Sequence, residues 1–228
     1  MSEASRQALQ KVPLFESLNE QELNLLGNVS SVKGFDKNQT IIQKSDEGDT
    51  FFSIISGKVK VILSDEEGKE YIVGILKPLE FFGELALLDG EPRSASVVAL
   101  ERTDVLVLKR EDFLHLIITN PELCIKIVGV LGRRLRKANE HIESLVFLDV
   151  CGRLARLILD LGEQQGKRTD DGTLIEIEYS RTELANLIGT TRETLTRALK
   201  TLETMGYIAI RKNKIIITNE PGLRTRMY

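Results

Sequence analysis

The chain has 228 residues, 42% of them hydrophobic and 29% charged, with a formal net charge of −3. That length suits two modest globular domains joined by a connector, and no run of about eighteen uncharged apolar residues offers a membrane span. Two cysteines (Cys124, Cys151) and two histidines (His115, His141), with no CxxC or HxxxH spacing, are too few for an iron–sulfur cluster or a structural zinc.

Met1-Ser2-Glu3 begins no secretion signal, so a cytoplasmic location is expected. Charge is unevenly divided. Residues 151–228 carry 13 Lys and Arg against 10 Asp and Glu, whereas residues 1–150 carry 18 against 24. An acidic first part and a mildly basic second part fit nucleic-acid binding by the latter.

In chain order, LFESLNEQELNLLG (14–27) predicts a short amphipathic helix ended by Gly27. From Thr40 to Lys109 short apolar runs follow: FFSIIS, KVKVIL, YIVGIL, SASVVAL and VLVLK, separated by turn signals such as Asp46-Glu47-Gly48 and Ser56-Gly57. These predict an antiparallel β-roll or jelly roll. Between two of its strands lies FGELALLDGEPRSASV (82–97), a helical insertion. Gly83 permits a sharp turn, the helix start presents free N–H groups, and Arg93 and Ser94 return a guanidinium and a hydroxyl. Together these make an anion site. The Glu84 carboxylate would repel a phosphate unless it binds something else, and a neighbouring ribose hydroxyl accounts for it. The residue types point to a small sugar phosphate carrying one compact negative charge.

After Asn120-Pro121 the period becomes helical. Val128, Leu131, Leu135, Ala138, Ile142 and Leu145 are spaced 3, 4, 3, 4, 3, an a/d seam flanked by charged residues. A helix of this length between two small domains exposes too much apolar surface to remain alone, and a parallel two-helix homodimer is expected. Further on, Ser180-Arg181-Thr182-Glu183 is a capping box that starts a helix ended by Gly189. Thr191 caps the next helix, Arg192 to about Met205, and the pair predicts a helix-turn-helix. Leu195, Ala198, Leu199 and Leu202 face inward on it. Arg192, Glu193, Thr196, Arg197 and Lys200 face outward, with the groups that read guanine and cytosine edges in a major groove. IAIRKNKIIIT (208–218), turning at Lys212-Asn213, predicts a two-stranded wing.

Three of these motifs carry a resemblance. The string FGELALLDGEPRSASV resembles the phosphate-binding cassette of cyclic-nucleotide-binding domains. TRETLTRALKTLE (191–203) resembles the recognition helix of the cyclic AMP receptor (CRP/FNR) family of bacterial transcription regulators, and FLDVCGRLARLILDL (147–161) its hinge and following helix. The resemblance covers about Leu14 to Asn219. It implies ribose contacts for Gly83 and Glu84, phosphate contacts for Leu85, Ala86, Arg93 and Ser94, and an arginine near the phosphate at Arg134. It also implies dimerisation through the central helix, a GTGA half-site read by Arg192, Glu193 and Arg197, and contact with RNA polymerase, for which the loop 166–172 is a candidate. The family places a Thr and a Ser beside adenine; after RRL this chain has Ala138 and Asn139. Asn139 both donates and accepts, which admits adenine or guanine.

The expectation is therefore an α+β protein: residues 1–120 an N-terminal β-roll sensor, 121–148 a central dimerisation helix, 149–228 a winged helix-turn-helix. It is a homodimeric regulator that binds a palindromic site on double-stranded DNA when cyclic AMP occupies the roll; the alternatives are a cyclic GMP-responsive regulator and a ligand-independent DNA binder with a vestigial pocket. The candidate DNA-contacting residues are Ser180, Thr191, Arg192, Glu193, Thr194, Thr196, Arg197 and Lys200. No catalytic residue, metal, cofactor or membrane partner is expected, because no metal cluster and no base–nucleophile pair is visible.

Overall fold

Among the described residues, the first part of the chain forms eight strands: β1 (Ser31–Phe35), β2 (Thr40–Ile42), β3 (Thr50–Ser56), β4 (Val59–Ser64), β5 (Glu70–Leu76), β6 (Phe81–Phe82), β7 (Ser96–Ala99) and β8 (Thr103–Lys109). They form two antiparallel sheets, ordered β1-β8-β3-β6 and β2-β7-β4-β5. The computed structural model describes residues 12–16 and 18–227; Met1–Glu3 and Ser17 lie outside the described residues. All five expected apolar runs are strands. The polar, mostly exposed β1 (SVKGF) carries too little alternation to be read in advance.

Successive side chains of β3 point to opposite faces. Phe52 and Ile54 join Ile42, Val59, Phe82, Val97 and Val105 in one apolar cluster. Phe51 faces the other way, onto a second cluster with Leu106, Leu108 and residues of the helices. Those helices are α1 (Glu20–Val29), the short α2 (Leu85–Asp89) between β6 and β7, α3 (Arg110–Thr119) and the start of α4 (Pro121–Phe147). Phe51 stacks on Phe113 of α3 with ring centroids 4.4 Å apart.

The expected helix over 14–27 is corrected at both ends. Pro13–Phe15 form a 3-10 turn that buries Leu14 and Phe15. Asn19 caps α1 in a capping box, accepting from Glu22 N–H at 3.0 Å while Glu22 accepts from Asn19 N–H at 2.8 Å. Gly27 is a buried interior residue, and the helix continues to Val29.

The rest of the chain holds α5 (Val150–Gln165), β9 (Lys167–Thr169), β10 (Gly172–Glu176), α6 (Arg181–Leu187), α7 (Arg192–Thr204), β11 (Ile208–Arg211), β12 (Lys214–Ile217) and α8 (Glu220–Thr225). The wing is larger than expected. Residues 166–172 are not a plain loop, because β9 and β10 pair as a hairpin and extend the sheet to β11-β12-β10-β9. Leu154, Ile158, Ile175, Leu184, Leu195, Leu199, Leu202 and Ile215 centre its core. The chain divides into two compact units, residues 1–135 and 136–228. Among the described residues no single helix is long and apolar enough to cross a membrane.

Candidate ligand site and nucleic-acid interface

The insertion between β6 and β7 is organised around two arginines. Gly83 has φ +81°, a left-handed conformation that costs a side-chain-bearing residue free energy. A Cβ there would stand 2.7 Å from Arg93 Nη1 and 3.0 Å from the Thr50 carbonyl oxygen. Arg93 fills that space: Nη1 donates to the Gly83 carbonyl and Nη2 to the Thr50 carbonyl, each at 2.7 Å. The side chain also lies over the Phe52 ring at 5.9 Å.

A guanidinium has five N–H groups. Two are engaged here, so three remain to meet an oxyanion. Arg93 is only 7% exposed. Burial pushes its pKa down from the ordinary value, opposed by the charges of Asp49, Glu84 and Asp46. A buried cation held this way is relieved by an anion, and the donor set suits a phosphate.

The loop before β3 supports the same residue. Ser45 N–H donates to the Arg93 carbonyl and Arg93 N–H to the Asp46 carbonyl, both at 2.9 Å. Gly48 allows this close approach, because a Cβ would sit 2.4 Å from Ala86 Cβ and 3.1 Å from Arg93 Nε. In the sequence Asp46-Glu47-Gly48 reads only as a turn; its role as the wall behind Arg93 depends on contacts about forty residues away.

Glu84 is 2% exposed. Arg134 of α4 pairs with it, Nη1 to Oε1 at 2.7 Å, and donates through Nη2 to the Phe81 carbonyl, its guanidinium 4.9 Å from the Phe81 ring centroid. Arg134 is thereby joined to Glu84 of the cassette. Leu85 and Ser94 are exposed, and Ala86 is buried. Ala138 is half-buried and Asn139 exposed, both on the part of α4 that belongs to the second unit.

Gly83→Ala is expected to strain the turn by about 1–2 kcal/mol and to displace the guanidinium it would touch. Cyclic-nucleotide affinity measured by calorimetry then falls roughly ten-fold or more, by the ordinary conversion of free energy to affinity. Unchanged affinity would contradict this geometry.

On α4 the exposed apolar stripe consists of Ile125, Val128, Leu135, Ile142, Leu145 and Val146. Val128, Leu135 and Ile142 are 61%, 64% and 59% exposed, and nothing among the described residues covers them. Leu131 differs from the expectation, because it packs against the helices' own core beside Phe113 and Leu123. Ile125 and Val146 belong on the stripe and were missed; stepping 3 and 4 residues from Leu135 through Asn139 reaches Ile142 and Val146.

In the helix-turn-helix, Ser180 Oγ accepts from Glu183 N–H at 3.2 Å and Glu183 Oε2 from Ser180 N–H at 2.6 Å. Gly189 turns the chain with φ +64°, and Thr191 Oγ1 accepts from Thr194 N–H at 3.3 Å to start α7. Arg192, Glu193, Thr196, Arg197 and Lys200 are exposed on one face, and Leu195, Ala198, Leu199 and Leu202 are buried on the other. Arg197 Nη2 donates to Thr194 Oγ1 at 3.1 Å. Among the described residues no salt bridge engages Arg192, Arg197 or Lys200. On the wing, Arg211 pairs with Asp171 at 3.3 Å and Lys214 with Glu176 at 3.3 Å. An unpaired cationic face is what a groove reader presents.

Comparison with known proteins finds a family match over each of the two parts of the chain. Residues 32–120 match the cyclic nucleotide-binding domain family, and residues 152–226 the Crp-like helix-turn-helix domain family. The cAMP-activated global transcriptional regulator CRP of Salmonella typhimurium is 36% identical over 180 residues, covering 78% of this chain and 85% of that protein. A CRP-like cAMP-activated global transcriptional regulator of Mycobacterium tuberculosis is 28% identical over 218 residues, 96% of this chain and 97% of its own. Among solved structures, the c-di-GMP responsive global regulator CLP of Xanthomonas campestris is similar with a TM-score of 0.75 at 25% identity, covering 87% of this chain and 99% of its own.

Proposed function

Because this chain belongs to the CRP/FNR family and is a cyclic-nucleotide-regulated, DNA-binding transcription regulator, not an enzyme, we propose that its effector is cyclic AMP and its working form a homodimer. The observation that carries the ligand reading is the buried Arg93, anchored by two backbone carbonyls with three N–H groups left over. Glu84 supports a ribose contact, since its carboxylate is buried beside that cation and positioned by Arg134. The name cAMP-activated, which the Salmonella and Mycobacterium relatives carry, favours adenine as the base.

Ala138 has no polar side chain to offer a base, and Asn139 is the residue on that turn of α4 that can donate and accept. Calorimetry on the purified protein with cyclic AMP and cyclic GMP tests the assignment. Tighter binding of cyclic AMP is expected; a preference for cyclic GMP would give the base reading to Asn139 alone, and no binding of either would leave a ligand-independent regulator.

On DNA, the two-fold dimer reads an inverted repeat with half-sites about 34 Å apart, one helical turn. Arg192 and Arg197 engage guanines of a GTGA half-site, and Glu193 favours the cytosine opposite the inner guanine. Arg192→Ala or Arg197→Ala costs about 1–3 kcal/mol and relaxes the preference at that base pair. Lys200→Ala weakens all sites alike and flattens the salt dependence, since it meets phosphate. Random-site selection in the presence of cyclic AMP checks this. Direct repeats, or a motif indifferent to both arginine variants, would remove α7 from the reader's role. Contact with RNA polymerase belongs to the same proposal and is supported by family membership.

A further inference from the structure

Cyclic and open-chain nucleotides differ in charge as well as in shape. A phosphate monoester has a second pKa of about 6 and so carries about two negative charges at and above neutral pH. A cyclic nucleotide is a diester and carries one. A charge placed beside the phosphate site therefore acts twice as strongly on the open-chain monophosphate.

The surroundings of Arg93 hold such charges. Segment 45–50 wraps this arginine. Its main chain exchanges hydrogen bonds with Ser45 and Asp46, both at 2.9 Å, and its Nη2 donates to the Thr50 carbonyl at 2.7 Å. Asp46 is thus tied to Arg93 through its backbone, and Asp49 directly precedes the residue that receives the guanidinium. The Thr50 hydroxyl donates to Asp49 Oδ1 and fixes that carboxylate at the end of the segment. The charges acting on Arg93 are three carboxylates: Asp49 first, then Glu84 and Asp46. Glu84 is matched by Arg134. Asp46 and Asp49 are exposed, and among the described residues neither enters a salt bridge. One buried guanidinium stands against two unmatched carboxylates, whereas recognition of a doubly charged phosphate draws on clustered cations.

We propose that Asp46 and Asp49 are specificity-determining residues that hold the ligand to a single negative charge, so that the site takes the cyclic diester and rejects open-chain monoesters such as adenosine 5′-phosphate. The proposal rests on the cyclic-nucleotide reading above. Arg93 offsets one charge on the ligand, and the segment SDEGDT (45–50) contains no cation to offset a second. Discrimination then comes from repulsion of the wrong ligand as much as from attraction of the right one.

The test compares three adenosine ligands: cyclic AMP, adenosine 5′-phosphate, and the monomethyl ester of the latter. The ester is open like the monophosphate and singly charged like cyclic AMP. Displacement of labelled cyclic AMP at pH 8 and low salt reads each affinity in wild type, Asp46→Asn, Asp49→Asn and Glu47→Gln. Asn at position 49 keeps an acceptor for the Thr50 hydroxyl. Each Asp→Asn change is expected to tighten both singly charged ligands by about three-fold, the scale of a partly screened charge pair. Adenosine 5′-phosphate is expected to gain about nine-fold, the square of that factor, because it carries twice the charge. Glu47 lies in the same segment but is not among the charges acting on Arg93, so Glu47→Gln is expected to leave the ratio of monophosphate to ester affinity unchanged. Both aspartates are exposed, and either variant alone decides the outcome. Equal gains for ester and monophosphate, or no gain for either, would overturn the proposal. So would a Glu47→Gln effect equal to that of Asp49→Asn, since it would assign the discrimination to surface charge at large. Failure of the wild-type protein to bind cyclic AMP would instead defeat the cyclic-nucleotide reading, and this inference with it.

Discussion

Arg93→Leu is expected to weaken cyclic-nucleotide binding by about 2–5 kcal/mol, through the loss of a charge-assisted contact that leaves the phosphate unpaired. In affinity that is about 30-fold to several thousand-fold. From the motif alone the substitution would leave the apoprotein's stability untouched. The structure changes that expectation, because the same guanidinium satisfies the carbonyls of Gly83 and Thr50. Leaving those part-buried acceptors unpaired costs about 1–3 kcal/mol of stability each at most. A lower melting temperature is therefore expected together with the lost affinity. Arg93→Lys separates the two effects: it retains the charge but cannot span both carbonyls and a phosphate. Calorimetry on each variant checks the outcome, and wild-type affinity in Arg93→Leu would exclude the cassette as the ligand site.

The second large effect is expected on α4. Leu135 is 64% exposed on a stripe that the described residues leave uncovered. In a parallel homodimer it meets its symmetry mate, and Leu135→Asp then sets two carboxylates against each other in an apolar seam. Dissociation to monomer in analytical ultracentrifugation is expected, with the folded unit intact because an exposed position tolerates Asp. A variant that stays dimeric would put the interface elsewhere. The Asn139 position adds detail: it falls on this stripe between Leu135 and Ile142, where a polar residue sets register at some cost in stability.

What could be read in the sequence was what depends on neighbours along the chain. The Ser180–Glu183 capping box, the Thr191 cap, the inward and outward faces of α7 and the five apolar strand runs are local patterns, and each stands where it was expected. Even local signals were misread when a stronger one lay beside them. Asn19 and Glu22 spell a capping box, yet Leu14, Phe15 and Leu18 suggested an earlier start; those residues are buried in the core from a 3-10 turn and the segment after it.

Long-range pairings were out of reach. Arg134 and Glu84 are fifty residues apart in sequence, and nothing along the chain says that the arginine pairs with that carboxylate. Leu131 satisfied the a/d spacing as well as its neighbours did, but spacing does not tell which side of a helix meets its own core.

The central claim is that nucleotide held by the Arg93 cassette raises the DNA affinity of the α7 reader. Fluorescence anisotropy of full-length protein on a labelled inverted-repeat GTGA duplex, with and without saturating cyclic AMP, tests it most directly. The account predicts a gain in affinity of about ten-fold or more on adding cyclic AMP, the usual scale of coupling between two sites, with Arg93→Leu showing none. Equal affinity with and without the nucleotide in the wild-type protein would contradict it.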